Sequence, residues 1–359
     1  MLENTLFRLK HDKKLTVGYF GGSITAGAGA SNGEKTSWRG LSAAWLREKF
    51  PEAEIKTVNA AIGGTGSMLG IFRMENDLLS GKPDLVFVEF SVNDGLGSYD
   101  EILANSETIV RKIFASNPYA DIIYVHTTTK GISDRVSAGS EYIARSAHSA
   151  VMHRYGVPQI DVGEILRTRV LLSGSDSEGS WKALTIDTVH PNDSGYRIYE
   201  DAIEEFLEKT LVGEPEKLTE KLLPERISPF DRIAARLVDP NESENDFTRL
   251  EKMPSGFFRS CIEALEPGKK LTFGFTGRRI GLYCMFSKDS GDVVYSIDGG
   301  EEKTVSTWDK YCKSFNRSCS VMLCDDLDFG EHTLKLRVSD KKNDESEGHA
   351  IRIGAFMVY

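Results

Sequence analysis

Residues 85–90 read Leu-Val-Phe-Val-Glu-Phe, a nearly continuous apolar run. A strand with one wet face alternates, so a run without alternation belongs to a strand buried on both faces, as in the middle of a parallel sheet covered by helices. The flanking chain fits that frame. Residues 15–20, 55–59 and 122–125 are strand-like. Residues 38–50, 102–114 and 143–155 carry helical periodicity, with Leu41, Trp45 and Leu46 on one face of the first. Strands alternating with helices predict a parallel sheet flanked by helices.

The texture changes beyond residue 210. Pro215, Pro224 and Pro229 interrupt a charged stretch, which reads as a connection. After it, Leu271, Phe273 and Phe275 alternate with polar positions, residues 293–297 run into the hairpin signal Asp298-Gly299-Gly300, and residues 333–338 and 351–358 are strand-like. Short strands between turns predict a β-sandwich or jelly roll. The expected organisation is an α/β domain over 1–210, a linker over 211–232 and an all-β domain over 233–359.

A net charge of −10 argues against a nucleic-acid backbone as partner, because phosphate binding needs a basic footprint. It also gives no attraction to an anionic membrane surface. No 18-residue apolar stretch occurs, and residues 1–14 carry six charged side chains with no signal-peptide core, so a cytoplasmic location is expected. Five cysteines, all after residue 260, cannot close a full disulfide set and lack zinc spacing, so reduced thiols and no metal site are expected. Asp325, Asp326 and Asp328 read as a solvated loop. The oligomeric state is left open.

The chemistry concentrates in four short segments. The strand over 15–20 runs into Gly21-Gly22-Ser23, a turn that presents one hydroxyl at the carboxyl edge of a sheet. Asn59-Ala60-Ala61-Ile62-Gly63-Gly64-Thr65-Gly66, Ser91-Val92-Asn93-Asp94 and Asp187-Thr188-Val189-His190-Pro191-Asn192 follow in order. A serine is inert near neutral pH unless a base takes its proton, and His190 is a base of suitable strength. Asp187, three residues earlier, lies within reach of the same imidazole and would fix its tautomer. The glycine loop at 63–66 has no P-loop lysine after it, which leaves a turn or a close approach of backbone.

Taken together, the four segments resemble the blocks of the SGNH (GDSL-type) hydrolase family over about residues 15–208. The resemblance implies a three-layer α/β/α sandwich of flavodoxin-like type and a Ser23–His190–Asp187 triad. It also implies an oxyanion hole formed by Ser23 N–H, Gly64 N–H and the Asn93 amide. The Asp that often precedes the serine in that family is Gly22 here. The β region is similar, more loosely, to carbohydrate-binding jelly rolls. The reaction implied is ester hydrolysis through an acyl-enzyme, with no cofactor. O-acetylated oligosaccharide is the favoured substrate class, and lipid or thioester hydrolysis and a non-catalytic glycan-binding role are the alternatives. Trp38 and Arg39, after the serine loop, are candidates to wall the site or ordinary residues of a helical turn. Trp181 and Trp308 (the latter beside Asp309 and Tyr311) are candidates to stack on sugar or loop-packing residues.

Overall fold

The computed structural model describes residues 2–95, 97–173 and 177–359. Strands β1 (Lys14–Gly21), β2 (Glu54–Asn59), β3 (Leu85–Glu89), β4 (Asp121–His126) and β5 (Gln159–Asp161) form one parallel sheet in the order β2-β1-β3-β4-β5. All five residues of β3 are buried, as its unbroken apolar run requires. Alternate side chains of β1 divide the core. Val17 and Tyr19 face helices Trp38–Lys49 and Asp193–Thr210, whose Trp38, Leu46, Tyr199 and Ile203 belong to the same cluster. Phe20 points the other way and meets Phe90 edge-on at 5.0 Å, under Gly70 of helix Ser67–Asp77. Helices Tyr99–Ser116 and Ile143–Tyr155 complete that layer.

The strand order reverses direction between β1 and β3. In such sheets the crevice outside the carboxyl ends at the switch point is where ligands are held. Segments leaving β1, β2 and β3 all reach that edge.

Residues 211–232, expected as a linker, run as a strap on the first compact unit, which extends to Ile233. Lys221 N–H donates to Pro118 O at 2.8 Å, and Ile227 and Ser228 N–H both donate to the Glu107 carboxylate at 2.9 Å. No helix or strand forms there, and prolines at 215, 224 and 229 lack an N–H, so the backbone finds its partners on the unit beneath.

The second unit, Ala234–Tyr359, is all β. Its strands are β6 (Arg236–Val238), β7 (Glu244–Asn245), β8 (Thr248–Arg249), β9 (Ile262–Ala264), β10 (Lys270–Gly277), β11 (Ile280–Phe286), β12 (Asp292–Ile297), β13 (Lys303–Ser306), β14 (Arg317–Cys324), β15 (Gly330–Val338) and β16 (Ile351–Val358). They form antiparallel sheets β13-β12-β15-β10-β7 and β14-β11-β16-β9-β8, with β6 added on β16. The inner faces share one core, in which the rings of Phe273 and Phe356 stack at 3.9 Å. The turn after β12 has φ of 54° at Asp298 and 72° at Gly299, the two positive values that a type I′ hairpin demands. The five cysteines are free thiols.

Candidate active site

Ser23 opens a short helical turn, Ser23–Ala26, directly beyond β1. Its carbonyl accepts from Gly27 N–H at 3.1 Å and Ala28 N–H at 2.9 Å. The turn is gripped from below by Glu89, the last residue of β3. This fully buried carboxylate accepts from the Thr25 hydroxyl at 2.9 Å, the Thr127 hydroxyl at 2.6 Å and Gly22 N–H. Burial pushes the Glu89 acid up, against the pull of those three donors. Tyr196 holds the turn from the other side, donating to Ile24 O at 3.0 Å or Ala28 O at 2.7 Å.

The histidine arrives on a loop shaped by Asp187. One carboxyl oxygen, Oδ1, accepts from Val189 N–H at 3.0 Å and His190 N–H at 2.7 Å, and Oδ2 meets His190 Nδ1 at 2.7 Å. The tight reversal puts Thr188 at φ 66°, in the left-handed region. Although partial burial raises the Asp187 acid, hydrogen bonds from His190 N–H, the imidazole and Val189 N–H outweigh it and hold the group below the usual range. The far nitrogen, His190 Nε2, lies 2.8 Å from Ser23 Oγ. Immediately after, Asn192 caps helix Asp193–Thr210 through Gly195 N–H, so a rigid element follows the loop.

Two clasps join the serine and histidine loops. A Cβ at Gly29 would fall 2.3 Å from Pro191 O, and φ there is 91°, so only glycine permits this approach. Asp193 accepts from Ser31 N–H at 2.8 Å, Ser31 Oγ at 2.6 Å and Thr36 Oγ1 at 2.8 Å.

The remaining side of Ser23 is lined by the other two segments. A Cβ on Gly63 would lie 3.6 Å from Ser23 Cβ, and the next residue, Gly64, has φ 73° with open space around it. Asn93 comes from beyond β3, and its Oδ1 sits 2.0 Å from where a Cβ on Gly22 would be. A hydroxyl, an imidazole and a carboxylate thus converge at the switch point of the sheet, beside the glycine loop and Asn93. That combination serves nucleophilic acyl transfer.

Residues 19–198 match the model of the GDSL-like lipase/acylhydrolase family. The chain belongs to that family. It is a carboxylic ester hydrolase. A two-domain esterase active on acetylated mannans, crystallised with mannopentaose, is 21% identical, with 99% of this chain and 94% of that one aligned at a TM-score of 0.85. A second structure of a two-domain esterase active on acetylated mannans gives 21% identity, 99% and 98% coverage and a TM-score of 0.84. These likenesses show the shared fold, an α/β unit followed by a β unit. No curated protein matches the chain.

The four expected substrate-lining side chains are placed elsewhere in this hydrolase. Trp38 is fully buried, edge-on to Tyr19 and Phe87. Trp181 is 1% exposed, within the same core cluster. Trp308 is packed into the core of the β unit. None offers a ring face to solvent, because each fills a gap that its large apolar body suits. Arg39 is 2% exposed and braces the serine loop from inside, donating to Thr25 O at 3.2 Å and pairing with Glu34 at 2.7 Å. His126, fully enclosed between Ser91 and Gln159, is pushed by burial down to about 3 and stays neutral. Glu89 and Tyr196 went unnoticed in the sequence. The only signal for Glu89 was an acid ending an otherwise apolar strand. Among the described residues no group of three or more His, Cys, Asp or Glu side chains is placed to hold a metal, and no helix is long and apolar enough to cross a membrane.

Proposed function

We propose that the enzyme is a serine esterase that removes O-acetyl groups from oligosaccharides, with Ser23 as nucleophile, His190 as general base and acid, and Asp187 as the carboxylate that orients His190. The observation that carries this reading is the continuous chain Asp187 Oδ2–His190 Nδ1 at 2.7 Å and His190 Nε2–Ser23 Oγ at 2.8 Å. Ser23 Oγ attacks the ester carbonyl as its proton passes to Nε2. The negative oxygen of the tetrahedral intermediate is held by Ser23 N–H, Gly64 N–H and the Asn93 side-chain amide. Collapse breaks the bond to the alkoxy oxygen, which leaves as the alcohol with the proton from His190. Water, deprotonated by His190, then attacks the acyl-enzyme, and acetate departs as Ser23 regains its proton.

The carbohydrate part of the reading is supported by the fold shared along 99% of the chain with an esterase active on acetylated mannans. A β unit of sandwich type following the catalytic unit fits the same substrate class. The test is acetate release from acetylated manno- and xylo-oligosaccharides, wild type beside Ser23→Ala. Release by the wild type alone is expected. Hydrolysis of long acyl esters with acetyl sugars left intact would refute the substrate class, and release by Ser23→Ala would refute the nucleophile.

A further inference from the structure

Asn93 and Asp94 are consecutive, yet their side chains press on two different glycines. Asn93 Oδ1 occupies the position next to Gly22, and a Cβ on Gly66 would lie 2.3 Å from Asp94 Oδ1. Asp94 Oδ1 also accepts from Ser67 N–H at 2.8 Å. One dipeptide beyond β3 is therefore fitted against the segment leaving β1 and the segment leaving β2.

What holds Asp94 is a second histidine. His148, on helix Ile143–Tyr155, donates from or accepts at Nε2 3.0 Å from Asp94 Oδ2, and since the carboxylate only accepts, Nε2 carries the proton. His148 is fully buried and stacks on Tyr124 at 4.7 Å. Its Nδ1 has no hydrogen-bond partner among the described residues. The ring thus makes a single polar contact, with Asp94, at the cost of leaving its other nitrogen unpaired in the interior. A residue whose task was packing alone would need neither nitrogen.

We infer that Asp94 and His148 form a positioning pair, distinct from Asp187–His190, that sets Asn93 and Gly64 in register as oxyanion donors. Neither touches substrate. This rests on the serine-esterase reading above.

The test uses the full chain with p-nitrophenyl acetate and an acetyl-enzyme transition-state mimic, methylboronic acid. His148→Phe keeps the ring stacked on Tyr124 but removes the N–H. A misplaced donor costs on the order of 10²-fold, so kcat is expected to fall by about that factor while KM holds, and boronate affinity should weaken in step. His148→Gln, whose amide can supply the same N–H to Asp94, should recover most of the loss. Wild-type kcat in His148→Phe, or a Gln variant no better than the Phe variant, would overturn the inference. If His148→Phe does not fold, Asp94→Asn carries the test. It keeps the volume and the acceptor for Ser67 N–H, and unchanged kcat there refutes the pair. Ser23→Ala run alongside separates the two levels. Activity in that variant removes the esterase reading itself, whereas a dead Ser23→Ala with an unaffected His148→Phe removes only the positioning pair.

Discussion

Glu200 lies inside the packing between helices Asp193–Thr210 and Trp38–Lys49, 1% exposed, with neither carboxyl oxygen hydrogen-bonded among the described residues. Burial first, then the charges of Glu204 and Asp201 against the pull of Arg197, push its acid up from 4.5 to about 9. Between those values the folded chain keeps a proton that the unfolded chain has lost. The unfolded state binds fewer protons, so the contribution of Glu200 to stability is greatest below pH 4.5 and declines as pH rises toward 9, at up to about 1.4 kcal/mol per pH unit. From about pH 5 to about pH 8 the ceiling is roughly 4 kcal/mol, and water reaching the group by local opening brings the expected loss to about 2 kcal/mol. Glu200→Met fills the same volume and has nothing to ionise. Urea unfolding of both proteins across that range should show the variant more stable at the alkaline end, with the gap narrowing as pH falls. A gap independent of pH would mean that Glu200 finds a partner or solvent in solution, and would refute the argument.

Gly22→Ala would drive a methyl to within 2.0 Å of Asn93 Oδ1. It should lower kcat about 10²–10³-fold by displacing one oxyanion donor, in the same way as Asn93→Ala, and the double variant should be little worse than either. Asp187→Asn should reduce kcat on the order of 10⁴-fold with the fold intact by circular dichroism, since the amide favours the wrong tautomer of His190. Trp181→Ala should cost about 3–5 kcal/mol in chemical denaturation, whereas Trp181→Phe should leave KM for acetylated oligosaccharide unchanged, separating a core tryptophan from a sugar platform.

The parts legible in the sequence were those written in local periodicity or short spacing. The apolar run at 85–90 gave β3, and Asp187 and His190 sat three apart on one loop. The parts that were not legible depend on distant packing. Trp38 and Trp181 look alike whether they line a groove or fill a core, because burial is decided by which helices pack over them. The strand β11, Ile280–Phe286, is buried throughout and so lacks the alternation that would have marked it. Glu89 and His148 are polar residues in apolar surroundings, and their partners, Thr25, Thr127 and Asp94, are brought near only by the strand order. Gly22 shows the same limit from another side. Its departure from the usual Asp was visible in the sequence, but the close approach of Asn93 Oδ1 to it was not.

The bond between Ser23 and His190 spans 167 positions of chain. Between them lie β2, β3, β4 and β5, all strands of the same parallel sheet. Closing so long a span costs loop entropy that a contact within one helix or hairpin does not. Hydrolytic competence therefore depends on the tertiary assembly of this unit, not on its local structure. A chain that has collapsed and gained its helices still lacks a working serine, and the protein stays chemically silent until its α/β architecture is closed.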